Sequence, residues 1–427
     1  MTPRALRILY LSQWFEPEPV MKGMGFVQGL IGQGHTVEVA TGFPNYPGGR
    51  LHPGYKVRLF QREQTNGVTV NRLALYPSHD NSSWRRALNY LSFLVSATIF
   101  CMLNARRFDV IYVYHPPVTV GLAAALSGWF TRTPFVIDIQ DLWPDSVAAS
   151  GMAHAGRLAK ILGAVCKFVY RRAATVVAQS KGMAAEIAKR APLADVTTIH
   201  NWADETAFEQ PAGARIDHLG FQGCFNIVYG GNLGRAQALD TLIEAAIIAR
   251  RTAPKIKLHL FGDGVDADRL RRLADRQPEG NVQIRPPVSR AAIAGIFARA
   301  DVLVLHLADD PLFEITIPSK LQFYLAAGKP VLIGGRGEAA KIVVDGDVGV
   351  AVPPDNPKAM ADAMVALAAR SQDNLEDMGG RARRLYLASF SFAAAIQGTD
   401  AVLRSAAAPR RGSSKRRPGT SQTAANL

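Results

Sequence analysis

Along most of the chain, short unbroken apolar runs alternate with stretches whose apolar positions recur every three or four residues. RILYLS, TVEVATG, VTVNRLAL, DVIYVYH, PFVIDI, TVVAQS and VTTIHN fall before residue 202. FNIVYGG, KIKLHLFGD, VQIRPP, DVLVLHL, KPVLIGG and VGVAVPP follow residue 224. Continuous Val/Ile/Leu runs read as strands buried on both faces. The helical periods between them, as at Ala238–Arg250 and Ile293–Ala300, read as the helices that cover those faces. The pattern predicts an α/β protein with two doubly wound Rossmann-like domains. The alternation stalls in NWADETAFEQPAGARIDHLGFQG. This turn-rich, aperiodic stretch places a linker at 206–223, between a first domain over 1–205 and a second over 224–390. Asp373–Arg404 is helix-prone, and its end, 391–407, is expected to pack back on the first domain. Residues 408–427 are rich in Ser, Arg, Pro and Gly and read as a disordered basic tail. Residues 43–67 read as a long ordered loop.

One segment stands apart from this rhythm. Residues 87 to 105, ALNYLSFLVSATIFCMLNA, carry no charge, and arginines flank them at 85, 86, 106 and 107. A bilayer span needs about 20 apolar residues, so the run sits at the threshold. Asn89, Ser92, Ser96, Thr98 and Asn104 dilute it. Three readings stay open: a core helix with a broad apolar face, an interfacial helix on anionic lipid, or a membrane span.

Length and composition narrow the field without naming a function. The 427 residues suit two or three domains, and a hydrophobic share of 48% is ordinary for a globular protein. Cys101, Cys166 and Cys224 are far apart and form no C-x-x-C, the usage of a reducing compartment without a zinc site. No secretory signal is legible at the start, which places the chain in the cytoplasm. The net charge is +14, and six of the cations lie from Arg404 onward. The remainder is still basic and favours polyanionic partners: nucleic acid, anionic lipid or phosphorylated substrates. No aromatic–basic interleaving of the kind that stacks bases is present, so nucleic acid is not expected.

Candidate chemistry begins where a strand meets a helix. In FNIVYGGNLGRAQ, glycines let backbone N–H groups approach a ligand, the following helix aims its positive end at the same point, and Arg235 adds a cation. Gly231, Asn232, Arg235 and Gln237 form a candidate diphosphate cradle; a tight turn without ligand is the alternative. In IPSKLQFYLAAGKP, Pro318 is placed at the first helical position, followed by Ser319 and Lys320. Helices ordinarily carry acids there, so a lysine suggests a bound anion, the alternative being a solvated side chain. Glu314 is either a surface acid or an acceptor for sugar hydroxyls.

These segments, with LHLFGDG, ADVLVLHL and GVAVPPDNP, follow one another as in the C-terminal half of the retaining GT-B glycosyltransferases of family 4. QWFEPEP, GHTVEVATGFPNYPGG, YVYHPPVTVGLAAAL, DIQDLWPDS and HNWAD are similar to their WbuB-like branch, which acts in O-antigen, capsule and exopolysaccharide assembly. The resemblance covers about Arg7 to Ser405. It implies two Rossmann-like domains facing across a cleft and a nucleotide-sugar donor, usually UDP-linked, on the second. The implied acceptor is a polyprenyl-diphosphate-linked saccharide on the first domain, and the implied location the inner face of the plasma membrane. The family's cations after the glycine turn are replaced here by Asn232 and Gln237, leaving Arg235 and Lys320 to neutralise phosphate. Its ribose-gripping Glu falls at Phe323, beside Gln322, and Glu338 is the substitute candidate.

Helix N-termini and cations can stabilise a departing diphosphate, so neither metal nor cofactor is expected. Asp266-Ala267-Asp268 and Asp345-Gly346-Asp347 match a metal-binding Asp-x-Asp string, but both fall in surface turns or helix starts. His115, ending the strand DVIYVYH, either caps a turn or contacts the donor sugar, as the resemblance implies. Asp141 is placed to orient an acceptor hydroxyl and Trp143 to stack on the acceptor's sugar face; a turn Asp and a packed Trp are the alternatives. Gly23 and Gly25 are expected to admit backbone close to the diphosphate from the other domain. Two other functions fit less of this pattern: a nucleotide-sugar 2-epimerase, and a non-enzymatic protein that binds anionic surfaces.

Overall fold

The unbroken run VIYVYH forms a strand, β5 below, that is buried along its whole length, as a sheet covered on both faces requires. A computed structural model describes residues 4–78, 82–145, 156–209, 219–276 and 280–408. The first lobe contains β1 (Arg7–Ser12), β2 (Thr36–Gly42), β3 (Phe60–Thr65), β4 (Val68–Leu73), β5 (Val110–His115), β6 (Phe135–Ile139), β7 (Thr175–Ala178) and β8 (Val196–Thr198). Their order is β3-β4-β2-β1-β5-β6-β7-β8, parallel throughout except for the β3–β4 pair. Its helices include α1 (Met24–Gly32), α2 (Ser83–Asn104), α3 (Val118–Thr131), α4 (Arg157–Arg172) and α5 (Lys181–Arg190).

The second lobe contains β9 (Phe225–Gly230), β10 (Ile256–Phe261), β11 (Val282–Arg285), β12 (Val302–His306), β13 (Val331–Gly334) and β14 (Gly349–Val352), all parallel in the order β11-β10-β9-β12-β13-β14. Its helices include α6 (Asp240–Arg250), α7 (Ala267–Asp275), α8 (Arg290–Ala298), α9 (Ser319–Ala327), α10 (Gly337–Asp345), α11 (Pro357–Ala368) and α12 (Gln372–Ser389). In each sheet the strand order reverses beside its first strand, at β1/β5 and at β9/β12. Ligands of such sheets bind beyond the carboxyl ends at these switch points. Both lobes are Rossmann-like.

The expected loop over 43–67 is in part a strand. FQREQT in β3 alternates exposed and half-buried residues, so it shows no apolar face. Its cue was Asn66-Gly67, whose φ angles of 50° and 80° turn a tight hairpin into β4. The helix-prone stretch from Asp373 is two helices. Ser391 starts the second, α13 (Phe392–Ala407), its side chain accepting from Ala394 N. Ala395, Ile396 and Leu403 of α13 are buried with Ile8, Tyr10 and Val27 of the first lobe. The tail from 409 on, and 210–218 of the linker, lie outside the described residues.

The lobes also touch away from the chain crossings. The Glu338 carboxylate, at the start of α10, accepts from Lys181 N at 2.8 Å and Gly182 N at 2.6 Å, the first amides of α5. Ser180 Oγ donates to Ile315 O at 2.5 Å. Glu338 thus caps a helix of the opposite lobe. Glu338→Ala is expected to destabilise the closed arrangement by about 1–2 kcal/mol. Thermal melts and an increased radius of gyration in small-angle scattering check this, and an unchanged radius contradicts it.

Candidate active site

A cavity of about 1120 Å³ lies between the lobes. From the first lobe it is lined by Pro19, Val20 and Met21, and from the crossing by Trp202, Ala203 and Asp204. The second lobe supplies two kinds of surface. Phe261, Pro287, Val288, Ile293, Phe297 and Phe323 make an apolar end, while Gly231, Asn232, Ser319 and Lys320 gather at the β9 terminus.

The β9 terminus is crowded backbone. Gly231 has φ +146°, and a Cβ there would lie 2.3 Å from Lys320 Cε. A Cβ on Gly262 would meet Gly231 O at 1.8 Å. Two bare residues therefore let the Lys320 side chain lie along the end of the strand. Lys320 is half-buried, and burial lowers its pKa. Its Nζ stands 5.3 Å from the centre of the Tyr229 ring. Among the described residues no carboxylate pairs with it. Pro318 is the N-cap of α9 and Ser319 its first residue, one place later than the sequence suggested. No side chain caps this helix, and its first turn has no acid. A partly desolvated cation and an uncapped helix start thus share the wall of one cavity, an arrangement suited to an anion.

Other residues singled out from sequence sit elsewhere. Arg235 is exposed and does not line the cavity. The chain turns through a 3-10 segment, Arg235–Gln237, and Arg235 joins Arg269, the larger influence, in holding the Asp266 carboxyl below its usual range. Gln237 is used within that turn, its Oε1 accepting from Gly234 N at 3.1 Å. Gln322 is buried and Glu314 exposed, and neither lines the cavity. Glu338 is held by the interlobe cap. Gly23 makes room for a side chain: the Glu16 carboxylate accepts from Met24 N at 2.5 Å, where a Gly23 Cβ would collide with it. The start of α1 is thereby filled by the chain's own anion. Gly25 is exposed in open space. In the Asp-x-Asp strings, Asp266 pairs with Arg269, Asp268 with Arg271 and Asp347 with Arg381.

On the first lobe, aromatic rings run along the carboxyl ends of the strands. His115 packs edge-on to Trp143 at 5.9 Å, Trp143 to Tyr90 at 6.3 Å, and Tyr90 to Trp14 at 6.5 Å; Trp14 stacks on Tyr46 at 4.7 Å. Trp143 is buried, so it is a link in this chain of rings rather than an open platform. Tyr46 and Tyr90 are half-buried. His115 is fully buried, neither ring nitrogen has a partner among the described residues, and burial lowers its pKa to about 3. Asp141 is open to solvent yet walled in enough that burial raises its pKa. The Tyr90 hydroxyl is pushed up by burial, with nearby Arg86 opposing. The sequence cue for Trp14 and Tyr46 was an aromatic in each loop that leaves a strand's carboxyl end.

Lys22 escaped sequence reasoning altogether. It is fully buried and bonds the Asp138 carboxylate, which also accepts from Tyr112 Oη and from Gln140 Nε2 at 2.8 Å. Tyr10 Oη donates to Lys22 O. This network pins the loop that brings Pro19, Val20 and Met21 to the cavity. Removing one partner would leave an uncompensated buried charge, a cost of about 3–5 kcal/mol.

Comparison with known proteins assigns both lobes. The profile of the Glycosyl transferase 4-like domain matches residues 24–202, and that of Glycosyl transferases group 1 matches 224–370. The chain is 30% identical over 358 residues to the putative colanic acid biosynthesis glycosyl transferase WcaI of Escherichia coli K12, covering 77% of this chain and 83% of WcaI. It is 24% identical to the probable glycosyltransferase WbjE of Pseudomonas aeruginosa, covering 67% and 72%. Anabaena HepE, solved in complex with UDP, superposes with a TM-score of 0.62 at 16% identity, over 93% of this chain and all of that one. With its two Rossmann-like lobes, both matched domains and the extent of its likeness to WcaI, the chain belongs to the GT-B glycosyltransferases that join a family-4-like domain to a group-1 domain.

Proposed function

We propose that this glycosyltransferase moves a sugar, with retention of configuration, from a UDP-linked donor to a polyprenyl-diphosphate-linked saccharide. The reaction belongs to surface polysaccharide assembly at the inner face of the cytoplasmic membrane. The colanic acid role in the name of WcaI and the UDP bound to HepE support the pathway and the donor. Both matched profiles are those of transferases, so neither the epimerase nor the non-enzymatic binding reading is favoured.

The observation that carries the reading is Lys320: a half-buried cation with no carboxylate partner among the described residues, beside the start of α9 and against bare backbone at Gly231. A diphosphate there would restore the charge balance that burial disturbs. As the sugar leaves, negative charge grows on the diphosphate, and a preorganised ammonium and helix start stabilise it without reorganising. The apolar end of the cavity, with Phe261, Pro287 and Phe323, suits the base. In this reading Asp141 orients the acceptor hydroxyl, and Tyr46 and Tyr90 offer ring surface to the acceptor. His115, fully buried behind Trp143 and outside the cavity lining, is a neutral imidazole that positions that ring and not a contact to the donor sugar. No metal takes part, and turnover is expected to survive EDTA.

Calorimetric titration with UDP and a transfer assay test the cradle. Lys320→Ala is expected to weaken UDP binding at least about tenfold and to slow transfer by about two to three orders of magnitude, as loss of one preorganised donor does. Gly231→Ala should do the same through the clash with Lys320, without removing the charge. Wild-type affinity and turnover in Lys320→Ala would refute the reading.

The protonation of His115 gives a separate test. The unfolded chain has an ordinary histidine, with pKa about 6.5. Below that pH the unfolded state takes up a proton that the folded state refuses until about pH 3. Stability is therefore lost as pH falls through 6.5, by about 2 kcal/mol at pH 5 from this residue. Melting curves of His115→Asn should show a shallower acid loss than those of the wild type.

A further inference from the structure

We propose that the outer face of the α2–α3–α4 layer is a docking surface for an anionic lipid bilayer, which it enters from one side without crossing. The proposal deepens the lipid-linked acceptor reading, but it rests on a different part of the molecule. On α2, Leu91, Val95, Ile99 and Leu103 recur every four residues and are 52%, 59%, 53% and 77% exposed. They form one apolar stripe along a helix, and Trp84 stands exposed at its start. The opposite face of α2 is committed: Phe93, Ala97, Phe100 and Cys101 are buried in the core of the first lobe. By length and composition α2 could cross a membrane. To do so it would have to strip that core, whereas lying in the interface exposes nothing.

The apolar surface continues past α2. Arg106 Nη2, just beyond α2, donates to Phe130 O at 2.7 Å, which sets the end of α2 beside the exposed Trp129-Phe130 pair ending α3. Trp129 packs edge-on against Phe168 of α4 at 5.7 Å, under the Arg172 guanidinium at 5.5 Å. Leu158 and Ile161 of α4 are exposed as well.

Charge selects the occupant. The three helices contain no Asp or Glu, while α4 alone carries Arg157, Lys160, Lys167, Arg171 and Arg172. A second copy docked here would set these cations against each other with no acid to meet them. Anionic headgroups neutralise them, and acyl chains receive the stripe and the tryptophans to a depth of about 5–10 Å.

Sedimentation of the full chain with vesicles tests the proposal, using phosphatidylcholine with and without phosphatidylglycerol. The wild type should pellet with the anionic vesicles and be released by salt. The Val95→Asp/Ile99→Asp pair should lower partitioning at least about tenfold while keeping the wild-type melting temperature and UDP affinity. Leu103→Glu, at the most exposed position, is the milder version should that pair fail to fold. Arg157→Glu/Lys160→Glu should erase the preference for phosphatidylglycerol. Because every variant keeps the basic tail, these losses belong to the helical face. The proposal is overturned if stripe variants partition like the wild type, if phosphatidylglycerol makes no difference, or if they abolish self-association and leave vesicle binding intact. Lys320→Ala should pellet normally, so failure of the donor cradle and failure of the docking face are told apart.

Discussion

Lys320 can occupy its place only because two residues lack side chains. Gly231 leaves room for its Cε, and Gly262 leaves room for the carbonyl of Gly231. Without this packing the ammonium would move into water and its charge would be screened. With it, the charge is partly desolvated, faces the cavity and finds no carboxylate among the described residues. Much of the second lobe follows from the same requirement: a strand ending in bare backbone, a helix starting without an acid, and a cavity wall that turns apolar beyond the charge.

The first lobe handles its buried lysine in the opposite way. Lys22 is removed from water completely, and Asp138 compensates it, with Tyr112 and Gln140 completing the carboxylate's hydrogen bonds. A compensated pair attracts no ligand, so this lysine fixes the shape of a loop where Lys320 meets the cavity. The start of α1 shows the same economy, since Glu16 satisfies an amide that would otherwise await an anion. Of the helix starts expected to face a diphosphate, α9 is left uncapped, α6 carries Asp240 in its first turn, and α1 is filled from within the chain.

The fold was legible because both sheets are almost wholly parallel, and parallel strands announce themselves as unbroken apolar runs. β3 escaped because an edge strand with solvent on its faces has no such run. In the site, Lys320 and Gly231 were legible as a local anomaly, a cation and a bare turn where helix and strand ends favour other residues. Arg235, Gln322 and Glu338 were not, because the direction of a side chain at a helix start depends on the turn before it and on the neighbouring lobe. Glu338 shows this plainly: its partners are the amides of Lys181 and Gly182, more than 150 positions earlier in the chain. The exposed stripe of α2 was half legible. Its lack of charge was visible, but periodicity could not say which faces the core would claim.

The return of α13 to the first lobe has a consequence for how the molecule is made. Tyr10, Phe26 and Val27 share a buried cluster with Ile396 and Leu403, and the Asp400 carboxylate accepts from Nε2 of His35 at 2.6 Å, while Nδ1 of the same ring accepts from Leu6 N. The residues that close the amino-terminal core thus leave the ribosome only after the second lobe has been made. That lobe waits, with an apolar flank uncovered, through synthesis of the entire carboxyl-terminal one, and the two reach their final form together.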